Sequence, residues 1–214
     1  VKPGTRALGI AESYGGTEHA ESTDSSILST RDAASDDATQ TDSGDAQQST
    51  VCGAVVRADR VVDGLSFDRW TVGGDDATDA LCRLWRELDR EDVRYVLVSG
   101  IAPAWFNVVD LHRVAAETNR PVISVSFEAS DGLEAVLTEQ FSGPALDWRL
   151  ERYRDAPPRQ RLEVDGEEVF VRAVGCDDDT AARVVRAFTP EGGRPEPLRV
   201  ARMAARAAHQ FGGN

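Results

Sequence analysis

VCGAVVRADRVVDGLSFDRWTVGGDDATDALCRLWRELDREDVRYVLVSG, residues 51–100, passes from a strand hairpin to a helix and back to a strand. Residues 51–57 and 60–63 are valine-rich and flank Ala58-Asp59, a two-residue hairpin connection. The second of these strands runs on toward Thr71, and Gly73-Gly74 ends the pattern. Over residues 76–88, Ala77, Ala80, Leu81, Leu84, Trp85 and Leu88 recur at the spacing of one helical face. Residues 94–98 (RYVLV) form a short apolar run of the kind buried on both faces of a sheet.

Working outward, residues 5–11 read as a further strand upstream. Downstream, a helix starts at Asn107 or Asp110 and ends near Thr118-Asn119, followed by a strand over 121–127 and helices over 132–140 and 145–154. A hairpin over 161–164 and 169–174 turns at Asp165-Gly166. Asp177 caps a helix reaching Phe188, and an Ala/Arg-rich helix covers 197–210. Three strands in succession, then helix, strand, helix and strand, imply a mixed sheet with helices on both faces. That order is the α/β plan of the ribonuclease H-like fold, and it fits other α/β layouts as well.

Between the first two strands the composition changes. Residues 15–50 are Ser, Thr, Asp, Gln, Ala and Gly, with eight acids and one base, Arg31. Such a segment buries too little apolar surface to offset its ordering entropy. The expectation is one domain made of residues 1–14 and 51–214, interrupted by a disordered acidic insertion over 15–50. In all, 37 acids face 24 bases in 214 residues, a net charge of −13, and Lys2 is the only lysine, leaving 23 arginines. An acidic, lysine-poor chain resembles those of salt-loving archaea. In molar salt the Debye length falls to about 3 Å, so net acidity does not exclude a nucleic-acid partner and local arginine placement decides. No apolar stretch reaches the roughly 20 residues of a membrane span, and no signal peptide is visible, so a cytoplasmic protein is expected. Cys52, Cys82 and Cys176 lack metal-ligand spacing and read as small buried hydrophobes.

Chemistry in such a sheet gathers at strand ends. Glu12 follows the first strand, Asp75 and Asp76 precede a helix, and Ser99 ends the fourth strand. Carboxylates converging on magnesium are the usual means of phosphodiester cleavage, although an aspartate before a helix also serves as its cap. His112 and His209 fall on helices and His19 in the insertion, so no nucleophile triad forms, and Ser99 lacks a G-x-S-x-G elbow. Trp105 and Phe106 are suited to stacking on a nucleobase or to burial against the second helix. Arg194 and Arg199 are suited to phosphate, or to pairing with Glu191 or Glu196.

Leu8-Gly9-Ile10-Ala11-Glu12, Thr71-Val72-Gly73-Gly74-Asp75-Asp76-Ala77-Thr78, Gly100-Ile101 with Phe106-Asn107-Val108-Val109-Asp110, and Pro195-Glu196-Pro197-Leu198-Arg199-Val200-Ala201 occur in this order. Together they resemble the archaeal endonuclease dU family, which is related to endonuclease V. The resemblance implies a DNA-repair endonuclease with a ribonuclease H-like fold, acting on deaminated bases, notably uracil, with magnesium or manganese. It implies Glu12, Asp76 and Ser99 as catalytic residues, Glu12, Asp76 and Asp110 as metal ligands, and Trp105, Asn107, Arg194 and Arg199 as DNA contacts. This chain departs from the family pattern at Ala11 and Ser99, where aspartates are expected as principal metal ligands. Successive strand side chains point to opposite faces, so Glu12 cannot stand in for residue 11 without a twist or bulge. The alternative is a non-catalytic relative that binds nucleic acid or a partner through the same cleft, and a third reading is an unrelated α/β hydrolase or ligand-binding domain.

Overall fold

Seven strands form one sheet in the order β3-β2-β1-β4-β5-β7-β6. The computed structural model describes residues 1–14, 47–130 and 132–212. β1 (Arg6–Glu12), β2 (Gln48–Arg57) and β3 (Val62–Thr71) make an antiparallel meander. β4 (Val93–Ser99) and β5 (Val122–Ser126) lie parallel to β1, so the ends of all three meet at one edge. β6 (Gln160–Val164) and β7 (Glu167–Val174) close the far side as a hairpin, with β7 antiparallel to β5.

Six helices cover the sheet: α1 (Ala77–Leu88), α2 (Leu111–Thr118), α3 (Glu134–Gln140), α4 (Pro144–Asp155), α5 (Asp178–Phe188) and α6 (Glu196–Gly212). Asp177 caps α5 as expected, accepting the Thr180 N–H at 2.7 Å. The segment Pro103–Phe106 is a tight turn whose backbone is left-handed at Ala104, Trp105 and Phe106.

The strand alternation sorts the core into two faces. Leu8 and Ile10 join the α1 and α2 side with Leu81, Leu84, Val96 and Val98. Ala11 packs on the other side with Ala201 and Ala205 of α6. On that same side Gly9 touches α6 so closely that a β-carbon there would lie 2.2 Å from the Pro197 carbonyl carbon. β4 is buried on both faces, as its apolar run implies. Cys52 and Cys82 are buried, and burial pushes the Cys52 thiol up to about 12. No helix among the described residues is long and apolar enough to cross a membrane.

β2 begins at Gln48, three residues before its expected start at Val51, because Gln48, Ser49 and Thr50 pair with Thr71, Trp70 and Arg69 of β3. Those polar residues carry no apolar signal, so the strand start is invisible in composition. Of the two expected starts of the second helix, Asp110 holds: it caps a helix beginning at Leu111, accepting the Arg113 N–H at 2.9 Å. The remainder of the expected insertion, residues 15–46 with His19, lies outside the described residues.

Candidate functional site

The ends of β1, β4 and β5 open into a cleft of about 230 Å³ at the crest of the sheet. Glu12 and Ser99 reach it from β1 and β4, and Ser124 and Ser126 from β5. Arg159, Arg172, Arg194 and Arg202 arrive from the segment before β6, from β7, from the loop before α6 and from α6 itself. Among the described residues the lining carboxylates are Glu12 and Glu128, so four cations face two anions there in a chain of net charge −13. Three of the guanidiniums lie against aromatic rings: Arg159 on Phe170 at 3.8 Å, Arg172 on Tyr153 at 5.0 Å and Arg194 on Phe127 at 4.0 Å. Such stacking orients the planar group and contributes about 0.5–2 kcal/mol.

Glu12 sits within this cationic wall but is held by its neighbours. One carboxylate oxygen accepts the Ala104 N–H at 2.7 Å. The other accepts the buried Trp70 indole N–H at 2.9 Å and the Ser49 hydroxyl at 3.0 Å. Burial pushes the Glu12 pKa above its ordinary value, opposed by those three hydrogen bonds and by the field of Arg202. The bond to Ala104 clamps the left-handed turn, which costs roughly 1–2 kcal/mol per residue for ordinary side chains. Gly73 N–H also holds the turn by donating to the Ala104 carbonyl at 2.7 Å, and so does buried Arg149, donating to the Phe106 carbonyl at 3.0 Å.

Asp76 and Asn107 form a separate network behind this turn. The Asp76 carboxylate accepts from the Thr71 N–H at 3.0 Å, the Thr71 hydroxyl at 2.9 Å and the Asn107 amide at 2.7 Å. Asn107, fully buried, also donates to the Thr71 carbonyl and accepts the Ala77 N–H at 2.9 Å. It therefore starts α1 and joins it to β3, its side chain enclosed by the fold and not exposed in the cleft. Asp110 is occupied in capping α2. Among the described residues no group of three or more His, Cys, Asp and Glu is placed to hold a metal ion. The expected ligand set of Glu12, Asp76 and Asp110 is thus not brought together.

Ser99 and Arg194 do line the cleft. Trp105 stands at 45% exposure beside the cleft-lining Phe106, with ring centroids 5.3 Å apart. Arg199 does not reach the cleft: its guanidinium pairs with Glu196 at 2.6 Å, one helical turn away and on the surface. The residues that sequence reasoning missed are Arg159, Arg172 and Arg202. They are scattered over four elements with Arg194, and no spacing links them. The nearest signal is Ser124 and Ser126, hydroxyls two apart in an otherwise apolar strand, hence on one face.

A magnesium ion needs hard oxygen donors left unspent by the protein. Here residue 11 offers a methyl group, residue 99 a neutral hydroxyl, and Glu12 a carboxylate already accepting three hydrogen bonds in the field of Arg202. Among the described residues this donor set does not fit the ion.

The mixed sheet, its strand order and its polar crest define a ribonuclease H-like protein of the endonuclease V class of folds. Endonuclease V from Ciona intestinalis, in complex with a DNA containing an inosine followed by a ribo-adenosine, superposes with a TM-score of 0.56 at 13% identity, covering 97% of this chain and 87% of that one. Endonuclease V from Streptomyces avermitilis gives 0.56 at 17% identity, over 99% and 85%. A protein of unknown function from Archaeoglobus fulgidus gives 0.72 at 24% identity, over 95% and 98%. The sequence profile of the endonuclease dU family matches residues 29–209, and the chain belongs to that family. Relatives include UPF0215 proteins of Thermococcus kodakarensis, 36% identical over 164 residues (75% of this chain, 82% of the relative), and of Pyrobaculum aerophilum, 34% identical over 167 residues (76% and 87%).

Proposed function

We propose that this member of a nuclease family binds a strand of nucleic acid in the crest cleft without cutting it. The phosphates lie against Arg194 and Arg202, and Trp105 and Phe106 offer the bases a stacking edge. The observation that carries this reading is the four arginines set, among the described residues, against two glutamates at the crest of an otherwise acidic chain. Guanidiniums pair with phosphate oxygens bidentately, and base stacking on aromatic rings tolerates any sequence. The endonuclease V of Ciona intestinalis, which shares the fold, carries DNA in its structure.

Family membership favours a second reading, magnesium- or manganese-dependent cleavage of DNA at uracil or another deaminated base. The crest donor set argues against it, since Glu12 is committed to the turn and residues 11 and 99 supply no carboxylate.

Fluorescence anisotropy of a labelled single-stranded DNA in molar potassium chloride tests the proposal. Binding is expected, and Arg202→Gln is expected to weaken it about tenfold, the effect of one charged hydrogen bond. Absence of binding to single- and double-stranded DNA and RNA alike would overturn it. Comparing uracil with thymine at one position in the probe reports whether a deaminated base is read.

A further inference from the structure

The cleft holds two half-buried guanidiniums, those of Arg159 and Arg172, near each other. Phe170 and Arg172 stand two residues apart on one face of β7, in register with Ser126 and Ser124 of β5. Arg159 stacks on that Phe170 and Arg172 on Tyr153. Among the described residues neither arginine makes an ion pair with a carboxylate; their hydrogen bonds go to neutral groups. Arg159 donates to the Ser130 carbonyl at 2.9 Å, the Ser130 hydroxyl at 3.0 Å, the Ser126 hydroxyl at 3.4 Å and the Glu128 carbonyl. Arg172 donates to the Tyr153 hydroxyl at 3.1 Å and to the Pro157 carbonyl. The carboxylates whose field Arg159 feels, Glu128 and Glu168, do not pair with it. Burial, and then the charge of Arg172, hold its pKa below the usual arginine value.

Two like charges in a partly desolvated space repel, and fixing both there costs stability unless something of opposite sign joins them. Two positive charges match a dianion better than the single charge of an internal phosphodiester. The surrounding bonds also shape the space. Arg159 ties residues 126–130 to the segment before β6, and Arg172 ties Tyr153 and Pro157 to the sheet. These ties hold both guanidiniums in place beside the serine hydroxyls of the cleft.

We propose that Arg159, Arg172 and the hydroxyls of Ser124, Ser126 and Ser130 form a phosphomonoester subsite, taking the terminal phosphate of a nucleic-acid strand or of a free mononucleotide. The first source rests on the strand-binding reading above; the second does not.

The test compares otherwise identical single-stranded DNAs ending in 5′-phosphate, 3′-phosphate or hydroxyl by anisotropy in molar potassium chloride. A nucleoside monophosphate and its nucleoside are titrated in parallel by calorimetry. A preference of about tenfold for one phosphorylated end, collapsing toward unity in Arg172→Gln with Arg159→Gln as a second variant, supports the subsite with a strand end as its ligand. Binding of the monophosphate but not of the nucleoside, with no DNA or RNA strand bound, supports the subsite and removes the strand reading. Equal affinity for all three ends in the wild-type protein, with no monophosphate binding, overturns the subsite and leaves the strand reading standing. No binding of any of these ligands overturns the subsite, and the strand reading falls with it when double-stranded DNA and RNA also fail to bind.

Discussion

At Glu12 an N–H of the Pro103–Phe106 turn, an indole N–H and a hydroxyl converge on one carboxylate. A glutamine there can accept from Ala104 or donate to Ser49, but its amide nitrogen faces the Trp70 N–H, another donor. Glu12→Gln is therefore expected to destabilise the fold by about 1–3 kcal/mol, the cost of leaving a buried donor unmet, read by urea denaturation. The pH dependence gives the sign. Burial raises the folded-state pKa above its ordinary 4.5, so this group's contribution to stability is complete below that pH and is lost as pH rises through the raised value. The stability gap between wild type and Glu12→Gln should narrow as pH rises above 4.5; a gap that widens contradicts the assignment. In sequence the same residue looked like a metal ligand, because a carboxylate after an apolar strand has the same appearance whether it meets an ion or three hydrogen-bond donors.

At the scale of elements, the contact of α6 with β1 depends on the missing side chain of Gly9. Any β-carbon would overlap the Pro197 backbone, so Gly9→Ala must push α6 away from the sheet. The expected cost is at least about 3 kcal/mol, in the overpacking range, measured as a fall in the urea midpoint with an unchanged slope. Arg149, 3% exposed, donates to the carbonyls of Phe106, Ala145, Gly73 and Gly74, and so joins α4 to the left-handed turn and to the loop before α1. Arg149→Met should leave those carbonyls unmet and lower stability by about 3 kcal/mol or more. The fold itself was readable in the sequence, because β4, α1 and α6 announce themselves by apolar runs and helical spacing. The turn was not, since Ala, Trp and Phe give no hint of left-handed backbone. The Phe-Asn-Val-Val-Asp and Pro-Glu-Pro-Leu-Arg blocks identified the family correctly. Their residues Asn107, Asp110 and Pro197 start helices and pack them in this structure.

Across the whole molecule, the acidic surface and the cationic crest make different demands on salt. Surface repulsion is screened within a few ångströms in molar salt, whereas paired charges in a half-buried cleft are screened much less. If Arg194 and Arg202 each neutralise one phosphate, log affinity for a single-stranded DNA with hydroxyl ends should fall against log salt with a slope of about −1.4. Arg194→Gln and Arg202→Gln should each flatten that slope by about 0.7. An unchanged slope in both variants would place the contact elsewhere. This crest was hidden from sequence reading because its arginines come from four separate elements and meet only once β5, β7 and α6 are assembled.

The central claim is that the crest grips an anionic strand through arginines and is not built around a divalent ion. It is tested most directly with a uracil-containing single-stranded DNA in molar potassium chloride, its affinity measured with EDTA, with magnesium and with manganese, and each mixture then run on a denaturing gel. The expected result is the same affinity in all three mixtures and an intact strand. Strand scission that appears with either metal and vanishes in Glu12→Gln would contradict it.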